Sequence, residues 1–299
     1  MDQFHLMNVY VAVAEEEGFA AASRRLKLSA PAVTRAVAEL EDKLGVKLLY
    51  RTTRHVRTTD AGVRYLEDAR RILRDIEMAN EAAIGVNAEP KGHLSITAPV
   101  LFGQKYITPG IVEYLKAYPN TQVDALFLDR VVNLLEEGFD VGIRIGKLPD
   151  STMKARKVGN VRLVLVASPD YLANSGIPKH THDLAQHTLI NSSAGSMAQD
   201  WQFMENGKMQ TLQIKPRLTV TTNQAAINAA KEGLGITRVI SYQVADELAS
   251  GELETVLSHF DLPCIPVHII HREDHLSSGK VRSFIDLIAE RLKKDKALN

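Results

Sequence analysis

A chain of 299 residues, 45% hydrophobic and 24% charged, has room for roughly two or three soluble domains with real cores and excludes neither enzyme nor binding protein. Its 36 Lys+Arg offset 36 Asp+Glu, so the net charge hides any local patch that could meet nucleic acid. No apolar run approaches the roughly 20 residues of a membrane span, so no membrane partner is expected.

Taken in order, the first residues do not read as a signal peptide. Asp2 and Glu15-Glu16-Glu17 bracket a stretch too short and too acidic, and a cytoplasmic protein is expected. A helix from about Gln3 to Glu17 carries the stripe Leu6, Val9, Val13 and ends at Gly18. From Phe19 to Leu44 the residues FAAASRRLKLSAPAVTRAVAELEDKL parse as a short helix, a tight turn at Lys27–Leu28 and a second helix. Ser29 is a good N-cap, because its hydroxyl can accept from an orphan backbone N–H, and Pro31 suits a first turn. Val33, Val37, Leu40 and Leu44 are spaced 4, 3, 4 and form the packed face. The opposite face carries Pro31, Thr34, Arg35, Ala38 and, a turn later, Asp42. Small and hydrogen-bonding side chains around one arginine suit a helix whose first turns enter a major groove. The same pattern also fits an ordinary surface helix of a helical hairpin.

Leu48–Arg51 and His55–Arg57 follow as two short strands joined by Thr52-Thr53-Arg54. From Arg24 to Arg57 the bases are Arg24, Arg25, Lys27, Arg35, Lys43, Lys47, Arg51, Arg54 and Arg57, against Glu39, Glu41 and Asp42. Clustered cations beside a helix–turn–helix are the footprint of phosphate contact. At this point the chain resembles the LysR-type transcriptional regulators. The carriers are Ala21-Ala22, LSAPAVTRAVAELEDKLGVKLL from Leu28 to Leu49, and YRTTRHVRTTDAG from Tyr50 to Gly62.

The resemblance implies a winged helix-turn-helix (all-α with a small β-wing) on residues 1–58. Thr34 and Arg35, with Ser29, Ala30 and Pro31, should face the major groove. Arg54 at the hairpin tip, beside Thr52, should reach the minor groove or phosphates, and Arg24, Arg51 and Arg57 should neutralise the backbone without reading sequence. Arg35→Ala should therefore relax one base pair, and Arg51→Ala should weaken all sites alike. Family members often have a polar residue where this chain has Ala30, so that contact is expected to be absent or apolar.

Thr58-Thr59-Asp60 caps a long helix, assigned to residues 59–88 as linker and dimerisation helix. Leu66, Ala69, Leu73, Ile76, Asn80 and Ala83 recur at 3, 4, 3, 4, 3, a heptad seam with one polar residue that can set register. The alternative is a single amphipathic helix lying on its own domain. The resemblance implies that it pairs two heads as a homodimer on a palindromic double-stranded operator, with a homotetramer beyond that and RNA polymerase open as a further partner.

Glu89-Pro90-Lys91-Gly92 marks a hinge at 89–92. Short apolar strands then alternate with helices: strands at His93–Ala98, Val123–Leu128 and Val141–Ile145, with a helix near Thr108–Tyr118. Val161–Ala167, Leu189–Ser192, Leu218–Thr221 and a helix at Asn223–Glu232 begin a second unit. Ile265–Ile270 and a helix at Ser278–Lys294 return to the first. This predicts parallel sheets in a two-lobed α/β effector domain, lobe I being 93–160 with 266–299 and lobe II 161–265. The resemblance likens that domain to periplasmic binding proteins and implies a small-molecule effector between the lobes. Ligands of such sheets sit at strand carboxyl ends, which nominates Pro99, Val100, Leu101, Phe102, Arg144, Ser192, Ser193 and Asn223. Backbone N–H groups with one arginine would suit a small anion. Arg144 is also one residue out of phase with Val141, Ile143 and Ile145, so it can equally project to solvent or pair with Asp140.

No catalytic set emerges. Ser151-Thr152-Met153-Lys154 matches S-x-x-K without its companion motifs, and Gly233-Leu234-Gly235 reads as a helix C-cap and turn. His180, His182 and His187, and His268, His271 and His275, lack zinc-site spacing, so no metal and no cofactor are expected. Cys264, the single cysteine, excludes an internal disulfide and reads as a small buried side chain. The expected function is a sequence-specific DNA-binding regulator, not an enzyme. The competing readings are a regulator that senses a metal and a soluble small-molecule-binding protein without a DNA role.

Overall fold

A helix that is apolar round most of its girth must lie inside its domain. That is the state of α1 (Gln3–Glu15), where Leu6, Met7, Val9, Tyr10, Val11, Ala12 and Val13 are all buried, more than the narrow stripe expected. The computed structural model describes residues 2–51, 56–84, 89–148, 153–194, 200–205, 208–260, 264–272 and 278–298, less the side chains at 51, 77, 78, 81–84 and 296. The chain divides into Met1–Val86 and Asn87–Asn299.

In the first unit α1 is wrapped by α2 (Phe19–Leu26), α3 (Ala30–Leu44), a hairpin of β1 (Leu49–Arg51) and β2 (Val56–Thr58), and α4 (Asp60–Ile84). The α1 helix stops before Gly18, and Glu17 takes the positive φ of 49° instead. Lys27 makes the turn between α2 and α3 in the left-handed region, and Ser29 Oγ caps α3 by accepting from Ala32 N at 3.4 Å. Val33, Val37 and Leu40 are buried as expected, but Leu44 is 39% exposed. The packed place in the last turn belongs to Glu41, four residues after Val37 on the same stripe.

Glu41 is 2% exposed. Its carboxylate accepts from Leu48 N at 2.9 Å and Leu49 N at 3.1 Å, and from Lys47 Nζ at 2.8 Å. Burial pushes its pKa up, yet the hydrogen bonds from Lys47, Leu48 and Leu49 outweigh that push and hold the group below the usual carboxylate range. The end of α3 is thereby fastened to the start of the wing. Behind it, Thr59 donates to Lys47 O and accepts from Gly62 N, which caps α4. Tyr10 Oη donates to Gly62 O at 2.8 Å. A Cβ on Gly62 would lie 2.0 Å from Leu48 O, so only glycine lets α4 and the wing strand approach this closely. Ala69 is fully buried on the same core, with Leu66 and Leu73 packed beside it, so the first half of the seam is covered by its own head.

The second unit has two five-stranded sheets. Its elements are β3 (Gly92–Ala98), α5 (Val100–Phe102), α6 (Thr108–Ala117), β4 (Thr121–Phe127), α7 (Leu134–Glu137), β5 (Val141–Ile145), β6 (Lys154–Val161) and β7 (Leu163–Ala167). Then come α8 (Pro169–Ser175), β8 (Leu189–Ser192), β9 (Asp200–Glu205), β10 (Lys208–Gln213), β11 (Leu218–Val220), α9 (Asn223–Lys231) and β12 (Ile236–Ile240). The chain closes with α10 (Ala245–Ser250), β13 (Glu254–Val256), β14 (Ile265–His271) and α11 (Gly279–Lys294). The first sheet runs β4-β3-β5-β14-β6 and the second β11-β8-β12-β7-β13, with β9 and β10 a separate hairpin. Among the described strands only β3 with its two neighbours, and β8 with its two, are parallel. The sheets are therefore mixed rather than parallel, because β7 and β14 enter antiparallel after the crossings between lobes. At the crossing, Ser241 N donates to Arg162 O at 2.8 Å and Arg162 N donates to Ser241 Oγ at 3.2 Å. No described helix is long and apolar enough to cross a membrane.

Two outcomes follow for the first unit. Gly62→Ala should lower its stability by about 1–3 kcal/mol through overpacking, read as faster amide hydrogen exchange in α1 and α3; unchanged exchange would contradict the close approach. A carboxylate whose folded pKa is depressed gives stability that is full above its ordinary range and is lost as pH falls through the lowered value. Glu41→Gln should therefore cost about 1–3 kcal/mol at neutral pH and flatten the loss of stability on acidification. Thermal melts across the acid range check this, and an unaltered acid limb would count against it.

Candidate nucleic-acid interface and effector cleft

On the first unit, Ser29, Ala30, Pro31, Thr34 and Arg35 are all exposed along the first turns of α3. Ala38 is half-buried and Asp42 exposed further on. Thr34 Oγ1 donates to Ala30 O at 3.0 Å, so its hydrogen is committed and its lone pairs face outward. Arg24 on α2 and Arg57 on β2 are exposed as well. Thr52, Arg54 and their neighbours at the hairpin tip lie outside the described residues, as does the Arg51 side chain.

The cations of this unit fall into two groups. Arg25 pairs with Glu15 and Glu16, Arg70 with Glu15, Lys43 with Glu39 and Lys47 with Glu41. Among the described residues Arg24, Lys27, Arg35 and Arg57 have no carboxylate partner. The charges without a carboxylate partner thus include those on the turn, the exposed ridge of α3 and the wing, with Arg64 on α4 a further one, and the first set makes a surface suited to a polyanion. Glu41, and the bond that Thr59 makes to Lys47 O besides capping α4, were not singled out from the sequence. Their partners lie across a turn and no local spacing marks them.

In the second unit the nominated loop residues have different fates. Pro99 precedes α5, and Val100 N already donates to Asp129 Oδ1 at 3.0 Å. Leu101 packs against the cores of both lobes. Phe102 is fully buried, its ring 5.2 Å from Tyr242 in an edge-on contact, so it is a core residue rather than an open ligand contact. Lys105 Nζ reaches Asp246 at 2.7 Å, a second tie between the lobes. Arg144 lies within β5, half-buried, and its Nη2 donates to Val132 O. Burial lowers its pKa and the nearby Glu137 carboxylate opposes that. Asp140, the partner considered for it, instead accepts from Ser95 N at 2.8 Å. Arg144 is therefore engaged by the backbone. In the other lobe Ser192 Oγ accepts from Ala194 N, Ser193 N donates to Val220 O, and Thr222 Oγ1 caps α9 ahead of the half-buried Asn223.

The other motifs resolve simply. Gly233, with φ of 76°, and Leu234 close the end of α9 through bonds to Ala230 O and Ala229 O. His187 Nδ1 lies 3.0 Å from Tyr171 Oη, and His180 stacks on His182 at 5.2 Å. Ser151, Thr152 and His275 lie outside the described residues. Cys264 is exposed, not buried: it precedes β14, ahead of the strand's packed residues.

Comparison with known proteins agrees with this division. The family model for bacterial regulatory helix-turn-helix proteins of the lysR family matches residues 4–63, and that for the LysR substrate binding domain matches residues 87–293. An HTH-type transcriptional regulator of Xanthomonas campestris pv. campestris is 33% identical over 294 residues, covering 96% of this chain and 85% of the relative. The regulator DmlR of Escherichia coli is 31% identical over 294 residues, covering 97% and 95%. The solved structure of CrgA, a LysR-type transcriptional regulator from Neisseria meningitidis, matches with a TM-score of 0.63 at 28% identity, covering 96% and 98%. With a helix–turn–helix head and a two-lobed second unit each matched by its own model, the chain belongs to the LysR family: it is a DNA-binding transcriptional regulator governed by an effector domain, and not an enzyme.

Proposed function

We propose that the first two turns of α3 read base edges in the major groove while Arg24, Arg51 and Arg57 neutralise phosphates on either side. The observation that carries this is the pairing pattern: Arg24, Lys27, Arg35 and Arg57 face outward and lack carboxylate partners among the described residues, whereas Arg25, Lys43 and Lys47 are paired. Thr34, with its hydrogen held by Ala30 O, is an acceptor and suits the exocyclic amine of adenine or cytosine. Arg35 suits guanine, whose O6 and N7 match its fork. Ala30 offers a methyl group to thymine. Arg54 and Thr52 extend the contact from the wing tip.

Two heads act together in the cytoplasm, on a palindromic operator with half-sites about one helical turn apart or a multiple of it. Pairing uses the far half of α4, where Ile76 is half-buried and Asn80 exposed, because Leu66, Ala69 and Leu73 are already spent on the head. Dimers join as tetramers, and RNA polymerase is the further partner through which transcription responds. A small anionic effector binds at the strand carboxyl ends, among Pro99, Leu101, Ser192, Ser193 and Asn223. Arg144 holds the backbone at Val132 in place.

Base-resolved binding assays test the reading. Arg35→Ala should lose discrimination at one base pair by about 1–3 kcal/mol and leave the other positions intact. Arg24→Ala should weaken every site alike and reduce the slope of log affinity against log salt by about 1. The reverse pattern would remove Arg35 from the reading role.

A further inference from the structure

The second sheet of the effector domain carries a charge that no described residue neutralises. Arg238 lies on β12 with its guanidinium carbon 5.3 Å from the centre of the Trp201 ring. Its Nη2 donates to Asp200 O at 3.3 Å, while Nη1 is buried and has no hydrogen-bond partner among the described residues. Burial alone draws its pKa down to about 10. A guanidinium stripped of water is stabilised only partly by an aromatic face, and a missing counter-charge leaves a real deficit.

The sheet register places more polar groups beside it. Ile236 pairs with Leu189 and Thr237 with Ile190, so Asn191 comes level with Arg238 one step past the last bonded pair of β8 and β12. Thr219 of β11 pairs with Asn191 on the other side. In parallel strands such a row shares one face, here the face on which Ile236, Leu189 and Trp201 pack. Asn191 is 6% exposed, and its amide has no hydrogen-bond partner among the described residues. Asn191 and Thr219 stand one residue before the carboxyl ends of the parallel strands β8 and β11, close to where ligands of such sheets bind.

We infer that Arg238, with Asn191 and Thr219, anchors the carboxylate of a small organic effector. A flat, two-oxygen carboxylate matches the fork of a guanidinium and leaves an oxygen for the amide of Asn191. A doubly charged phosphate or sulfate would shed more hydration than this half-covered site returns. Arg144, the arginine that strand position favours, is tied to a backbone carbonyl, whereas Arg238 has donors to spare. The inference rests on the reading of this domain as an effector sensor and names the group that the sensor grips.

The chain reports on this site unaided, because Trp201 is its single tryptophan. The full-length protein is titrated with sodium acetate, butyrate and succinate at millimolar concentrations, and with sulfate, at ionic strength held constant with sodium chloride. Trp201 emission and Tm are followed together. The expected result is a saturable emission change with at least one carboxylate and none with sulfate. The midpoint should move at least about tenfold in Arg238→Met, the loss of one charge-assisted pair, and less in Arg238→Lys, which keeps the charge without the fork. Unliganded Arg238→Met should melt at or above the parent temperature, since an uncompensated charge has been removed. An identical midpoint in Arg238→Met, a response to sulfate equal to that of the carboxylates, or no saturable emission change would each overturn the inference. A rise in Tm without any emission change would sink it while sparing the effector reading; silence in both would count against both.

Discussion

A buried carboxylate sets the shape of the DNA-binding head. Glu41 ends the packed stripe of α3, and its oxygens take the N–H groups of Leu48 and Leu49 together with the Lys47 ammonium. Without it, two strand-opening donors would be sealed from water with nothing to accept them, a loss larger than the net worth of an ordinary hydrogen bond. With it, one side chain fastens the end of α3 to the start of the wing. The close approach of Gly62 to Leu48 continues the same chain of contacts into α4. Ridge, wing and α4 are therefore held by adjacent bonds on the 47–49 segment, and the cations of the ridge and wing are presented together.

Charge follows the same division of labour. Acids near the α1–α2 junction and at the end of α3 absorb Arg25, Arg70, Lys43 and Lys47, which bind the head together. Such exposed pairs contribute little stability each. Their larger effect is selective: among the described residues the positive charge left over includes Arg24, Lys27, Arg35 and Arg57. A chain of zero formal net charge thus presents a local field fit for DNA. In the effector domain the same reasoning works inversely. An arginine engaged by the backbone, Arg144, reads as architecture, and one left with unused donors, Arg238, reads as a place for an anion.

Much of this was legible in the residues themselves, because the signals are local. The Ser29 cap, the Val33–Leu40 stripe, the Thr59 cap and the alternation of apolar strands with helices are all written within a few positions of each other. Long-range partners were not legible. Glu41 looked like one more acid on a helix, since nothing near it announces the N–H groups across the turn. Leu44 fitted the spacing but fell at the helix end, beyond the core. The seam on α4 has a period that suits a partner helix or the head itself, and Leu66, Ala69 and Leu73 go to the head. Phe102 sat in the right loop for a ligand, yet its ring serves the tie to Tyr242. The β9–β10 hairpin escaped notice because Lys208–Gln213 is mostly polar and exposed, and with it went the Trp201 that covers Arg238.

The central claim is that the ridge beginning after Ser29 meets duplex DNA in a defined register, delivered in pairs. Selection of binding sites by the full-length protein from a pool of random duplexes, at moderate ionic strength, tests it most directly. The account predicts enrichment of a two-fold symmetric motif whose halves are centred about one helical turn apart, or a multiple of it. A pool that remains random after repeated selection, or one enriched in a single unpaired half-site, would contradict it.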